Sequence, residues 1–282
     1  MKKNCVIFFN CHGGEIYKQL KSSENFNKIY NIKHIALYDY LPTHIYSKND
    51  DLIFEHKKQI SDADLIILQY IKKKDRYIIS QEYIKTLLKN DAKIILIPHY
   101  TFSGYNYDYD IVNDENFNTN ETKENLEKYV NNLFIDKEKE IQEKLENELK
   151  NIEILDYYSN IKCYNFVKEN YNKKQLFYSR SYPTYIFFNY ISQEILNILE
   201  IINDIKIVWT NYASHTLEPI YPAVKKILNI QFNIEFNYKC NIIEYLVCCK
   251  IHNINYIILE EKKGRKIYVD FVKKIIDEKK YR

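Results

Sequence analysis

Glycine and proline are almost missing from this chain: four and five, respectively, stand among 282 residues. Where so few remain, each marks backbone geometry that compositional drift did not erase. Excess charge is missing too. Lys and Arg number 41 against 38 Asp and Glu, a net charge of +3, so bulk attraction to nucleic acid is excluded and no nucleic-acid partner is expected. No uninterrupted apolar run reaches the about 18 residues of a spanning helix, so no transmembrane segment is expected. The opening MKKNCVIFFNCHGG has too short an apolar stretch, and no small-residue cleavage site, for a targeting signal. The six cysteines (Cys5, Cys11, Cys163, Cys240, Cys248 and Cys249) form no CxxC pair. That argues against a disulfide framework or a zinc ribbon, and for reduced thiols in a cytoplasmic protein. GxGxxG, P-loop, GxSxG and HExxH patterns are all absent, and the pair Asp108 and Asp110 lacks the spacing and glycine of an EF-hand, so no metal is expected.

What is present suffices for one domain. Hydrophobic residues make up 46% and charged residues 28%, enough for a packed globular core. The 28 tyrosines, with abundant Lys, Asn and Ile, follow the composition of an AT-rich coding sequence and need no stacking surface to explain them. Short apolar runs at Asn4–Phe9, His34–Tyr38, Asp64–Gln69 and Lys93–Pro98 read as buried strands. Helical stretches fall between them at Glu15–Leu20 and Ser80–Lys89, the latter with Ser80 as N-cap. This alternation predicts an α/β fold, a parallel sheet covered on both faces. Further on, Glu121–Ile152 reads as one long or two shorter amphipathic helices with a solvated charged face, a helical insertion rather than a second domain. Helices are expected at Tyr185–Leu199 and Ala223–Leu228. Residues Ile254–Phe271 read either as a hairpin about Gly264 or as helix. The whole of 1–282 is taken as one domain, with a core over about 4–230 and a C-terminal extension over about 231–282.

In a parallel sheet, ligands sit outside the carboxyl ends of the strands. Three of the predicted strands end there in chemically capable residues: Asn10-Cys11-His12, Gln69 and His99. Cys11 leads toward a helix N-terminus, where the dipole and unpaired N–H groups favour a thiolate or oxyanion, and Gly13 and Gly14 would let the backbone approach a ligand. A small buried thiol is the plainer reading of the same residue. His99 closes the fourth strand and can serve as general base. Gln69 could donate its side-chain amide to a developing oxyanion, or satisfy a neighbouring loop. His12 could contact substrate, and His215 is a second base in a distant loop. The other histidines suggest nothing.

Several short motifs recur in order. Asn10-Cys11-His12, DLIILQYI at Asp64–Ile71, IPHYTFSGYNYD at Ile97–Asp108, LFYSRSYPTYIFF at Leu176–Phe188 and EPIYP at Glu218–Pro222 together resemble the WcbI family of polysaccharide-biosynthesis proteins. That resemblance spans most of residues 4–230. It implies a three-layer sandwich like that of the SGNH hydrolases, and coenzyme A or acetyl-CoA as cosubstrate. The implied activity is O-acetyl transfer to a sugar hydroxyl of a glycan acceptor. Asn10 and Cys11 match the family's first motif, usually Gly-Asn-Cys-Gln, whereas Phe9 and His12 depart from it. Gln69 matches the glutamine closing the third strand. The family's His-Pro-Ser/Thr motif corresponds to Tyr182-Pro183-Thr184. A tyrosine, with an ordinary pKa near 10, cannot replace a histidine base at neutral pH. The role would then pass to His99, His12 or His215.

Taken together, the residue reading and the resemblance make Cys11, His99 and Gln69 the candidate catalytic residues, and Asn10, His12, Gly13, Gly14, Arg180 and Thr184 the candidate cosubstrate contacts. The phosphates of coenzyme A call for cations, either Arg180 or the cluster Lys72, Lys73, Lys74 and Arg76. Two mechanisms stay open: acyl transfer through Cys11, or direct attack with a histidine as base. An esterase or deacetylase using the same crevice is one alternative activity. A non-catalytic coenzyme A- or glycan-binding module is the other.

Overall fold

The computed structural model describes residues 2–40, 52–71, 77–105, 132, 134–208, 220 and 222–232. Four parallel strands form its sheet: β1 (Lys3–Phe9), β2 (Tyr30–Ala36), β3 (Leu65–Gln69) and β4 (Lys93–Ile97). Their order is β2-β1-β3-β4. The two inner strands carry the most continuous apolar runs because both of their faces are covered. All five residues of β3 are buried, as are Cys5–Phe9 of β1.

Alternate residues feed two cores. Cys5, Ile7, Phe9, Leu65, Ile67, Ile95 and Ile97 point to one face. There they meet α1 (Cys11–Ser22) through Ile16 and Leu20, and α7 (Tyr185–Ile198) through Phe187, Ile191 and Ile195. Val6, Phe8, Ile66 and Leu68 point to the other, against Ile60 of α3 (Phe54–Ser61) and Ile84 of α4 (Gln81–Leu87). Helix, sheet and helix therefore stack in three layers. A short α2 (Glu24–Ile29) links α1 to β2, with Ser23 as its N-cap. The expected cap of α4 is present as well: Ser80 accepts from the Tyr83 N–H.

In the helical middle, α5 (Glu138–Tyr157) buries Ile141, Leu145, Ile152 and Asp156 along one stripe and leaves its charged face to solvent. It runs beyond the expected end at Ile152; positions 121–131 lie outside the described residues. α6 (Tyr164–Asn170) follows. Next come a small antiparallel pair, β5 (Phe177–Ser179) with β6 (Tyr182–Pro183), then α7, and later α8 (Pro222–Ile227). The region 254–271 is outside the described residues.

Two predicted elements are corrected. The second strand is Tyr30–Ala36 rather than His34–Tyr38; Leu37–Tyr40 is a 3-10 turn. Over its first four residues this edge strand alternates buried and exposed positions (Tyr30 and Ile32 in; Asn31 and Lys33 out), and Ile35 is buried on the opposite face, a pattern that a search for unbroken apolar runs passes over. The first helix begins at Cys11, four residues earlier than predicted. Asn10 caps it, and its two glycines are helical rather than part of a turn.

Candidate functional site

Because β1, β3 and β4 run in parallel, their carboxyl ends share one edge of the sheet, and the predicted site residues gather along it. Asn10 is the hinge between β1 and α1. Its side chain accepts from the His12 N–H at 3.0 Å, its carbonyl accepts from the Gly13 N–H at 2.9 Å, and its own N–H donates to Gln69 Oε1 at 3.1 Å. Gln69 thus ties the end of β3 to the end of β1. Its side-chain nitrogen makes no hydrogen bond among the described residues, so it keeps donors in hand. Cys11 is the first residue of α1 and is partly exposed. The other two described cysteines, Cys5 and Cys163, are buried, and burial raises both thiols far above their ordinary range.

His12 turns inward from Cys11 and is 3% exposed. Its Nε2 lies 2.8 Å from the Ser181 carbonyl. A carbonyl can only accept, so Nε2 carries the proton and Nδ1 is the ring's basic atom. Burial, reinforced by the nearby His99, lowers its pKa from 6.5 to about 3 against the raising effect of the Ser181 bond. The His99 ring lies 4.5 Å from that of His12, tilted by 51°. Burial lowers its pKa as well, so both rings are neutral at physiological pH and hold an available lone pair. The loop bearing His99 is pinned one residue on, where the Tyr100 hydroxyl donates to Asp156 Oδ1 at 2.8 Å. Phe188 meets the His12 ring edge-on at 5.4 Å, and Tyr182 at 6.2 Å. His12 also lines a small apolar pocket with Phe9, Ile16, Ile97, Pro98, Pro183 and Phe187.

Not every predicted residue faces this edge in the role expected of it. A Cβ on Gly13 would stand 2.5 Å from Phe9 Cβ and 2.6 Å from His34 Nε2. The glycine therefore serves the close approach of α1 to the sheet, with no room there for a ligand. Gly14 faces the same His34 ring at 3.8 Å. Thr184 is buried and donates its hydroxyl to the Gln175 carbonyl at 2.8 Å. Arg180 is half-buried, and its carbonyl accepts from the Phe102 N–H at 2.8 Å, which holds the β5–β6 hairpin against the segment after β4. His215 and the Lys72–Arg76 cluster lie outside the described residues. No group of three or more His, Cys, Asp or Glu able to hold a metal occurs among the described residues.

Comparison of the whole fold with solved structures finds WcbI, a polysaccharide biosynthesis enzyme, in a native form described as lacking a disulfide bond between coenzyme A and one of its cysteines. The TM-score is 0.64 at 16% identity, over 96% of this chain and 99% of that one. The chain has the WcbI fold. No family model matches the sequence, and no curated protein does. The similarity to WcbI therefore lives in the arrangement of elements rather than in residue identity.

Sequence reading missed His34. Its Nε2 sits 3.3 Å from both the Phe9 and the Asn10 carbonyls. No local pattern marks it. It reaches the junction only because β2 pairs with β1 in the register that sets Ile7 opposite His34.

Proposed function

We propose that the protein is an acyltransferase of polysaccharide biosynthesis, moving acetyl from acetyl-CoA to a sugar hydroxyl by way of Cys11. The observation that supports the reading is the placing of Cys11, at the head of α1, on the same carboxyl edge of a WcbI-type fold as the neighbouring rings of His12 and His99 and the side chain of Gln69, which holds the Asn10 N–H. In the first step, Cys11 Sγ forms a bond to the thioester carbonyl carbon, the carbon–sulfur bond to coenzyme A breaks, and the thiol proton passes through a histidine to the leaving sulfur. In the second, His99 takes the proton of the acceptor hydroxyl as its oxygen attacks the acetyl-cysteine, and Cys11 regains its proton. Gln69, with Nε2 uncommitted, supplies an N–H donor to the oxyanion of both tetrahedral intermediates.

Tyr182 stands where the WcbI pattern implies a histidine, and it flanks the His12 ring. His99 and His12 supply the imidazoles at this edge, so the tyrosine does not deprive the site of a base. Arg180, at the tip of the neighbouring hairpin, is the cation we assign to the coenzyme A phosphates, and Asn10 shapes the cosubstrate's approach. The layering around this edge follows the SGNH-hydrolase arrangement in this reading.

Titration calorimetry with acetyl-CoA and coenzyme A, on wild type and Cys11→Ala, tests the proposal. Micromolar binding by the wild type, with acetyl on Cys11 detected by intact-mass spectrometry, is expected. Absence of binding at millimolar ligand overturns the cosubstrate. Binding with full acetyl transfer by Cys11→Ala overturns the covalent route.

A further inference from the structure

The β1–α1 junction is gripped from both neighbouring strands. From β3, Gln69 Oε1 accepts the Asn10 N–H. From β2, the His34 ring reaches across to the last carbonyl of β1, that of Phe9, and to the carbonyl of Asn10, the N-cap of α1, each 3.3 Å from Nε2. Two acceptors at one ring nitrogen require that nitrogen to carry hydrogen, so His34 is the Nε2–H tautomer sharing one proton between both carbonyls. The glycine at position 13 is the counterpart of this contact, since any side chain there would meet the ring.

We propose that His34 is the positioning residue for Cys11: its forked hydrogen bond fixes the backbone on which the cysteine enters α1, and thereby its thiol's place at the N-terminal end of that helix. The inference rests on reading Cys11 as the reacting thiol, but it concerns the geometry that makes the thiol reactive rather than the reaction it performs. His34 touches neither substrate nor cosubstrate in this account. It acts through Asn10, which caps the helix by accepting from the His12 and Gly13 N–H groups and is tied to β3 through Gln69. Without the fork, Asn10 is held by Gln69 from one side alone. The turn loosens, and the fixed placing of Cys11 at the positive end of the α1 dipole, which favours a thiolate, is lost.

The experiment is alkylation of Cys11 by iodoacetamide across a pH series, followed peptide by peptide by mass spectrometry, in wild type, His34→Leu and His34→Gln. Leucine keeps bulk and removes the donor; glutamine offers an N–H at similar reach. For His34→Leu the rate at pH 7 is expected to fall about fivefold, with the profile displaced to higher pH, while His34→Gln follows the wild type. Thermal unfolding by circular dichroism confirms that both variants are folded. A folded His34→Leu protein with the wild-type profile overturns the proposal, as does equal slowing in both variants. Should His34→Leu not fold, the wild-type ring decides by its nitrogen NMR shifts: Nε2–H at pH 7 supports the fork, and Nδ1–H overturns it. Alkylation consumes no acetyl-CoA, so failure of the acetyltransferase reading would leave this result standing.

Discussion

A buried histidine beside a second one makes this fold sensitive to acid in a way that can be assigned to one residue. His12 is 3% exposed, and its pKa is lowered from 6.5 to about 3, chiefly by burial and then by His99. Unfolded, the same ring binds a proton near pH 6.5. Between these values the unfolded chain takes up a proton that the folded chain refuses, so stability falls as pH falls. The contribution is complete above about pH 7.5 and is lost progressively as pH drops toward 3. At about 1.4 kcal/mol per pH unit, the full interval amounts to about 5 kcal/mol, of which about 2 kcal/mol is lost between pH 8 and pH 5. Burial lowers His99 and His34 too, so they act in the same direction. The assay is urea unfolding of wild type and His12→Gln at pH 8, 6.5 and 5. Glutamine does not titrate and can still donate to the Ser181 carbonyl. Carboxylates common to both proteins cancel in the difference. Wild type should lose about 2 kcal/mol more than the variant from pH 8 to pH 5. Parallel stability curves would refute the reasoning, because they would mean that His12 protonates in the folded protein as readily as in the unfolded one.

The two helical glycines should respond oppositely to the same change. Gly13→Ala forces a Cβ to 2.5 Å from Phe9 Cβ, close to a backbone that cannot swing away, and should cost about 1–3 kcal/mol by urea melts; Gly14→Ala, with 3.8 Å of room, should be neutral or gain up to about 1 kcal/mol. Equal effects at both positions would show that the packing of α1 on the sheet is misassigned. Asp156 accepts from the Tyr100 hydroxyl and from the Cys163 and Tyr164 N–H groups at 2.8–2.9 Å. Asp156→Ala strands the two N–H donors and leaves the Tyr100 hydroxyl only the Ile161 carbonyl at 3.1 Å; it should lower stability by about 2–4 kcal/mol, and Asp156→Asn by less, and a loss below about 1 kcal/mol for the alanine variant would contradict the network. Of the three described cysteines, only Cys11 should react with iodoacetamide in the native protein, since burial raises the thiols of Cys5 and Cys163. Labelling of either buried thiol at the rate of Cys11, read by peptide mass spectrometry, would count against the packing around them.

The sequence alone determined most of the elements and the edge along which its polar strand ends lie. Ile- and Leu-rich runs of strand length at β1, β3 and β4, caps such as Ser80, and the spaced apolar residues of α5 and α7 are local signals. They come through because backbone hydrogen bonding and burial act on neighbours in the chain. Which strands would end in polar residues was equally open to inspection, and Cys11, Gln69 and His99 do gather at one edge. What the sequence could not carry is anything that depends on two distant segments meeting. The order β2-β1-β3-β4 arises from β1 pairing on both sides. The same pairing brings His34 under Gly13 and Gln69 to Asn10, and so turns a supposed ligand-binding glycine into a packing glycine. The inward turn of His12 toward His99 is likewise set by α7 and the β5–β6 hairpin closing over it. Each of these contacts joins residues 21 or more positions apart, beyond the reach of any periodicity, and each is settled only when the sheet fixes its register.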